Sequence, residues 1–216
     1  MKHSTIQNKK VIEKVISRRG RLHAFQQIEP ASTALIIIDM TVAFVEGNAE
    51  CTAIIPAINE LADRLRHAGG TVSWVIPRSD AVQKNHIAVF GTELAEQLHK
   101  ITQPAHSGSK LFPTLETAHA DITAYKLGYS AFFPGKSDLH EQLQKRNIET
   151  VIICGTVTNV CCESSARDAV ELGYQTILAA DLNVGHTHGL HEAALTTFYR
   201  SFGDVRTYKE LIELLR

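Results

Sequence analysis

Between Thr150 and Gly173 the chain has few ways to fold. Thr150 to Cys154 is a continuous apolar and β-branched run, which reads as a strand buried on both faces. Gly155 interrupts it, and Thr158 and Asn159 offer capping oxygens for a helix that begins at once. Apolar residues then return at helical spacing (Ala166, Ala169, Val170), and Gly173 suits a C-cap. This strand–turn–helix unit puts Cys161 at or beside a helix N-terminus. Unpaired amides and the helix dipole there favour thiolate over thiol, so the expectation is an activated nucleophile.

The remainder of the chain repeats the strand–helix alternation. A weakly amphipathic helix over 5–19 and a polar connector ending at Glu29-Pro30 precede Ala34 to Ile38, a buried strand that ends on Asp39. Pro56 suits a helix first turn, with Ile54, Ile58, Leu61, Leu65 and Ala68 on its inner stripe; Gly69-Gly70 ends that helix and Thr71–Ile76 is the next strand. Residues 78–121 carry little pattern beyond a short helix over Thr92–Leu98, and read as a lid or pocket wall. Ile122 to Tyr125 is a short strand that delivers Lys126, and Asp138 with Glu141 fits a capping box opening a helix through Arg146. Gln175–Ala180 is a strand ending on Asp181, His188–Phe202 a helix, Asp204–Thr207 a short strand and Tyr208–Leu215 a last helix. The alternation predicts an α/β protein, a three-layer α/β/α sandwich around a parallel sheet. Residues 1–30 form an N-terminal helix and connector, and 31–216 a single domain.

Composition narrows the function classes. A chain of 216 residues that is 44% hydrophobic with a net charge of −1 buries a substantial core and offers no basic field for a nucleic acid. Its first residues carry Lys9, Lys10, Lys14, Arg18 and Arg19 without the apolar core of a signal peptide, and no apolar run approaches the span of a bilayer. A cytoplasmic protein with no membrane partner is expected. Cys51, Cys154, Cys161 and Cys162 form no CxxC pair, so reduced thiols are expected rather than a disulfide framework or zinc knuckle.

Asp39 and Lys126 close predicted strands, and Cys161 stands just past the turn that ends a third. In an open parallel sheet the carboxyl ends of neighbouring strands converge on one crevice. A thiol, a carboxylate able to move its proton and an ammonium to hold charge would suit acyl transfer.

Three segments in order carry a family resemblance. They are Leu-Ile-Ile-Ile-Asp-Met at 35–40 with Phe44, Lys-Leu-Gly-Tyr-Ser-Ala-Phe at 126–132, and Cys-Gly-Thr-Val-Thr-Asn-Val-Cys-Cys-Glu-Ser-Ser-Ala-Arg-Asp-Ala at 154–169. Over about residues 33–207 the chain resembles the isochorismatase-like cysteine hydrolase superfamily. The resemblance implies a Rossmann-like sheet of order 3-2-1-4-5-6 and a catalytic triad of Asp39, Lys126 and Cys161. Asp39 would take the thiol proton and return it to the leaving amine, with Lys126 holding Asp39 ionised. It also implies a cis peptide at Thr156–Val157, turning the Val157 amide beside that of Cys161 as an oxyanion hole. Homo-oligomers, dimers or tetramers, are usual in the resembling family.

Within the superfamily, nicotinamidases bind zinc through an Asp-x-His and a further His after the second strand. Here that region reads Pro77-Arg78-Ser79-Asp80-Ala81-Val82, so no metal or cofactor is expected. Isochorismatases proper cleave a vinyl ether with the aspartate as acid and need no cysteine. The intact cysteine therefore favours a small-molecule substrate with an amide, carbamoyl or ureido C–N bond, and Lys126 to Phe133 looks most like the carbamoyl- and ureido-cleaving branches. Thr41 departs from the Gln that most relatives carry after Asp-Met. A non-catalytic binding or scaffold module of the same fold is the alternative from a different class.

Other polar and aromatic residues have two readings. Phe44, Trp74, Tyr129 and Phe132 are candidate pocket walls, although aromatics in such places also build cores, and Arg78 is a candidate for a substrate carboxylate or for solvated surface. His186, His188 and His191 read as pocket lining or capping before a metal cluster. Cys154 and Cys162 read as core.

Overall fold

The computed structural model describes residues 8–215. Six parallel strands, β1 (Thr33–Ile38), β2 (Thr71–Pro77), β3 (Ile122–Lys126), β4 (Thr150–Thr156), β5 (Gln175–Val184) and β6 (Asp204–Arg206), form one sheet in the order β3-β2-β1-β4-β5-β6. The expected strand order is thus the observed one. β1 and β4 are buried at every position, as their unbroken apolar runs require.

Alternate residues of these strands feed two cores. Ile36, Ile38, Val151 and Ile153 face one side, where α7 (Glu163–Glu171) and α8 (His188–Ser201) pack with Cys162, Ala166, Leu195 and Phe198. Leu35, Ile37, Ile152 and Cys154 face the other, against Ile58, Leu61 and Leu65 of α3 (Ala49–His67) and Leu211 of α9 (Tyr208–Leu214). Cys154 and Cys162 are therefore core residues, on opposite faces of the sheet.

Several boundaries differ from the sequence reading. Helix α3 begins at Ala49, because the Asn48 side chain accepts from the amides of Glu50 and Cys51 at 3.1 Å each; Pro56 consequently lies inside the helix rather than in its first turn. Asp138 makes no capping box. Its carboxylate accepts instead from the Tyr125 amide and the Gln142 side chain, ahead of a shorter helix α6 (Leu139–Gln144). Residues 78–121, which show little pattern, carry two helices, α4 (Lys84–Phe90) and α5 (Thr92–Ile101), with only Ala95 buried between them; α5 extends the short helix expected over Thr92–Leu98. The small helix α2 (Val42–Val45) follows β1 directly.

The N-terminal helix α1 spans Lys9–Arg19, while its expected first residues, 5–7, lie outside the described residues. It packs on the body through Val15. The connector is fastened to β6: Asp204, fully buried, pairs with His23 and Arg206 at 3.2 Å each, and Tyr199 donates to the Leu22 carbonyl at 2.6 Å. Burial would raise the Asp204 carboxyl, but His23 and Arg206 hold it below the ordinary carboxylate range. Among the described residues no helix is long and apolar enough to cross a membrane.

β1 and β4 approach so closely at their carboxyl ends that Gly155 has no substitute. A Cβ there would lie 2.1 Å from the Ile38 carbonyl oxygen, and the residue has φ +118°. The register of β4 with β5 shifts at the same place, between Ile153 and Gly155. Gly155→Ala should lower stability by more than about 2 kcal/mol in a urea titration. Gly189→Ala, where no atom lies within 4 Å, should leave the midpoint unchanged or slightly raised.

Candidate active site

The carboxyl ends of β1, β3 and β4 bring together the three polar residues that closed their predicted strands. Asp39 leaves β1 with φ +56°, a conformation that Asp tolerates better than most residues, and its carbonyl accepts from the Thr41 amide at 2.8 Å. The tight turn aims the carboxylate back into the crevice. Lys126, the last residue of β3, places Nζ 3.0 Å from Asp39 Oδ2, 3.4 Å from Cys161 Sγ and 3.0 Å from the Gly128 carbonyl oxygen. Three acceptors satisfy the three N–H bonds of an ammonium. Asp39 and Lys126 are each 2% exposed, whereas Cys161 is half-buried, and the other three cysteines are buried.

The turn that presents Cys161 is not an ordinary helix start. The Thr156–Val157 peptide is cis, and Thr158–Cys162 form a π-helical turn that runs into α7. The Val157 carbonyl accepts from the amides of Val160 at 3.0 Å and Cys162 at 3.2 Å. Thr158, fully buried, hydrogen-bonds His191 Nδ1 of α8 at 2.8 Å, which pins the turn from behind. His191 is thus a support of this turn. Among the described residues no three His, Cys, Asp or Glu side chains are grouped to hold a metal ion.

The electrostatics reverse one expectation. Burial, then the Asp39 carboxylate, push the Cys161 thiol up to about 12, against the pull of Lys126. Cys161 therefore rests as a thiol, and the helix-terminus effect expected to favour thiolate is outweighed by desolvation and a like charge. Asp39 is also raised: desolvation exceeds the stabilisation from Lys126 and Cys161, so the carboxylate is a stronger base than an exposed one. Lys126 loses to burial but gains more from Asp39 and Cys161, and titrates above the ordinary lysine range. Asp39 Oδ1 is buried with no hydrogen-bond partner, which leaves an acceptor position open on the carboxylate that couples to the thiol.

The aromatic pocket candidates separate. Trp74 is 1% exposed on the α3 side of β2, and its indole N–H donates to Asp121 Oδ2 at 2.8 Å. It is core, held in a cluster where Arg66 also grips Asp121, at 2.9 and 2.7 Å. Phe132 is likewise core, 2% exposed and packed on Tyr174 with ring centroids 5.6 Å apart. Arg78 stacks its guanidinium on the Tyr125 ring, 3.4 Å from the centroid; Tyr125 alternates with Lys126 on β3 and so faces away from it. Phe44, half-buried on α2, and Tyr129, 43% exposed and 5.9 Å from His86, stay at the carboxyl edge of the sheet. Thr41 is fully buried, with its hydroxyl unpartnered.

Residues 33–210 match the family model described as the Isochorismatase domain. This chain belongs to the isochorismatase family. An isochorismatase family protein of Bacillus subtilis is 31% identical over 198 residues, covering 88% of this chain and 97% of that one. A ureidoacrylate amidohydrolase of Caulobacter vibrioides is 28% identical over 206 residues, covering 83% and 89% of the two chains. The crystal structure of a cysteine hydrolase from Pseudomonas syringae superposes with a TM-score of 0.81 at 27% identity, covering 90% of this chain and 97% of that one. The family match begins at residue 33, so α1 and the connector precede the matched residues.

Because Asp39 is one of the two charges that set the Cys161 thiol, Asp39→Asn should lower its pKa below about 12 while burial remains. A pH titration of thiolate absorbance, corrected with Cys161→Ala, checks this. An unchanged midpoint would show that the two groups are not coupled.

Proposed function

We propose that this protein is a cysteine hydrolase that cleaves a C–N bond of a small linear amide, carbamoyl or ureido compound. One contact carries the reading: the Lys126 ammonium touches both Asp39 Oδ2 and Cys161 Sγ. Passing the thiol proton to Asp39 moves the negative charge from one neighbour of the ammonium to the other. No new charge is created in a buried space, which is the usual obstacle to forming a thiolate there.

In this mechanism Asp39 accepts the Cys161 proton as the sulfur attacks the substrate carbonyl carbon. The amides of Val157 and Cys161 receive the oxyanion. Collapse of the tetrahedral adduct breaks the C–N bond, and Asp39 returns the proton to the departing nitrogen, leaving a thioester on Cys161. Water then attacks the thioester carbonyl, giving its proton to Asp39. The acid product leaves, and the Cys161 sulfur takes the proton back. The likeness to a ureidoacrylate amidohydrolase over most of both chains supports this choice of bond. Phe44 and Tyr129 are the side chains at the crevice edge that would meet the substrate.

An ammonia-release screen over small amides and ureides tests the reading. Cys161→Ala should lower the rate by at least about 10³-fold and Lys126→Met by about 10²-fold, with both variants folded. Release that survives Cys161→Ala but not Asp39→Asn would replace the covalent mechanism with acid catalysis by Asp39. The pH dependence has a definite sign. Below its pKa Asp39 is protonated and cannot accept the thiol proton, so kcat/KM falls as pH drops through that value. Burial raises it, so the acid limb should lie above the ordinary 3.8.

A further inference from the structure

Two halves of the site meet at a hydroxyl that takes no part in the chemistry above. Ser165, one turn beyond Cys161 on α7, is fully buried. Its Oγ donates to the Cys161 carbonyl at 2.6 Å and accepts from the Ala131 amide at 2.9 Å. The proton order is fixed, because an amide can only donate and a carbonyl can only accept. Ala131 belongs to the loop 127–136, whose ends are tied by the Leu127 amide on the Lys136 carbonyl at 2.8 Å and by a bridge between Lys126 and Ser137. The same loop carries Gly128, whose carbonyl is the third acceptor of the Lys126 ammonium. One side chain thus joins the loop that orients the cation to the backbone of the nucleophile.

We propose that Ser165 is a positioning residue that fixes the Cys161 sulfur against the Lys126 ammonium and the Asp39 carboxylate. A serine in a helix commonly bonds the carbonyl four residues back, but that habit accounts for only one of the two bonds. The second comes from a segment 34 residues away and has no local origin. Removing Oγ leaves the buried Ala131 amide without its acceptor and frees the loop from the helix. The sulfur–ammonium distance is then no longer held, and displacements of about 1 Å at reacting atoms cost roughly 10²-fold in rate.

The inference rests on the reading of Cys161 as the nucleophile, and its test has an arm that needs no substrate. Ser165→Ala should lower kcat for ammonia release by about 10- to 100-fold, with KM within about twofold of wild type. It should also slow alkylation of Cys161 by iodoacetamide, read by mass spectrometry, by about tenfold or more, because the thiol loses its held base and cation. Ser165→Cys keeps the volume with a poorer donor and acceptor, and decides the question if the alanine variant does not fold. A kcat and an alkylation rate within about twofold of wild type in either folded variant overturn the proposal. If wild type releases no ammonia from any amide or ureide, the hydrolase reading fails by itself, and the alkylation rates alone decide the role of Ser165.

Discussion

The Lys126 ammonium is buried between a carboxylate and a thiol, and that contact dictates what the surrounding fold must supply. An ammonium in such a place needs all of its N–H bonds taken, and Asp39, Cys161 and the Gly128 carbonyl take them. Sheet order then sets the residue types. β1 and β4 are neighbours, so Asp39 and Cys161 reach a shared crevice from adjacent strand ends. β3 is separated from β1 by β2, roughly 10 Å at ordinary strand spacing. A group reaching across that width needs a long stem, which lysine has and a short cation does not.

The main frame was legible because buried parallel strands leave a plain record. Runs ending on Asp39 and Lys126, and one ending at Gly155, mark the three strands and the polar residues at their carboxyl edge; β1 and β4 are buried throughout, whereas the exposed Thr123 interrupts β3. What failed to show has physical causes. Helix α4 buries nothing and has no apolar stripe to read, whereas α5 is legible over Thr92–Leu98 and runs on to Ile101. Trp74 and Phe132 are aromatic residues near strand ends, and alternation alone does not say whether such a side chain meets core or crevice. A helix terminus by itself favours thiolate, and the burial and the Asp39 carboxylate that dominate Cys161 come from residues far from it in sequence. Ser165 left a faint signal. Four residues past Cys161, it shares that residue's helical face, yet beside Ser164 nothing in the sequence marks it out until the loop from Lys126 is seen to cover it.

The segment before the isochorismatase domain follows a different logic from the site. Its attachment combines one buried carboxylate, Asp204, which His23 and Arg206 share, with apolar contacts of Val11, Ile12, Val15, Phe25 and Ile28 on the two cores. Val15 is the fully buried residue of α1, with Val11 and Ile12 packed beside it, and Tyr199 fastens the connector through the Leu22 carbonyl. The crevice, by contrast, is assembled from strands whose positions are over-determined by two cores.

A thiol kept protonated until a substrate arrives has a consequence for life in a cell that contains peroxides. Oxidation to sulfenic acid proceeds through the thiolate, as does exchange with other disulfides. With Cys161 pushed up to about 12, the folded protein presents almost none of that form between turnovers. The unfolded chain has no such shield, since its cysteines return to an ordinary acidity. In the folded protein, damage at this sulfur should therefore require an oxidant that enters the crevice and passes the thiol proton to Asp39, as a substrate does.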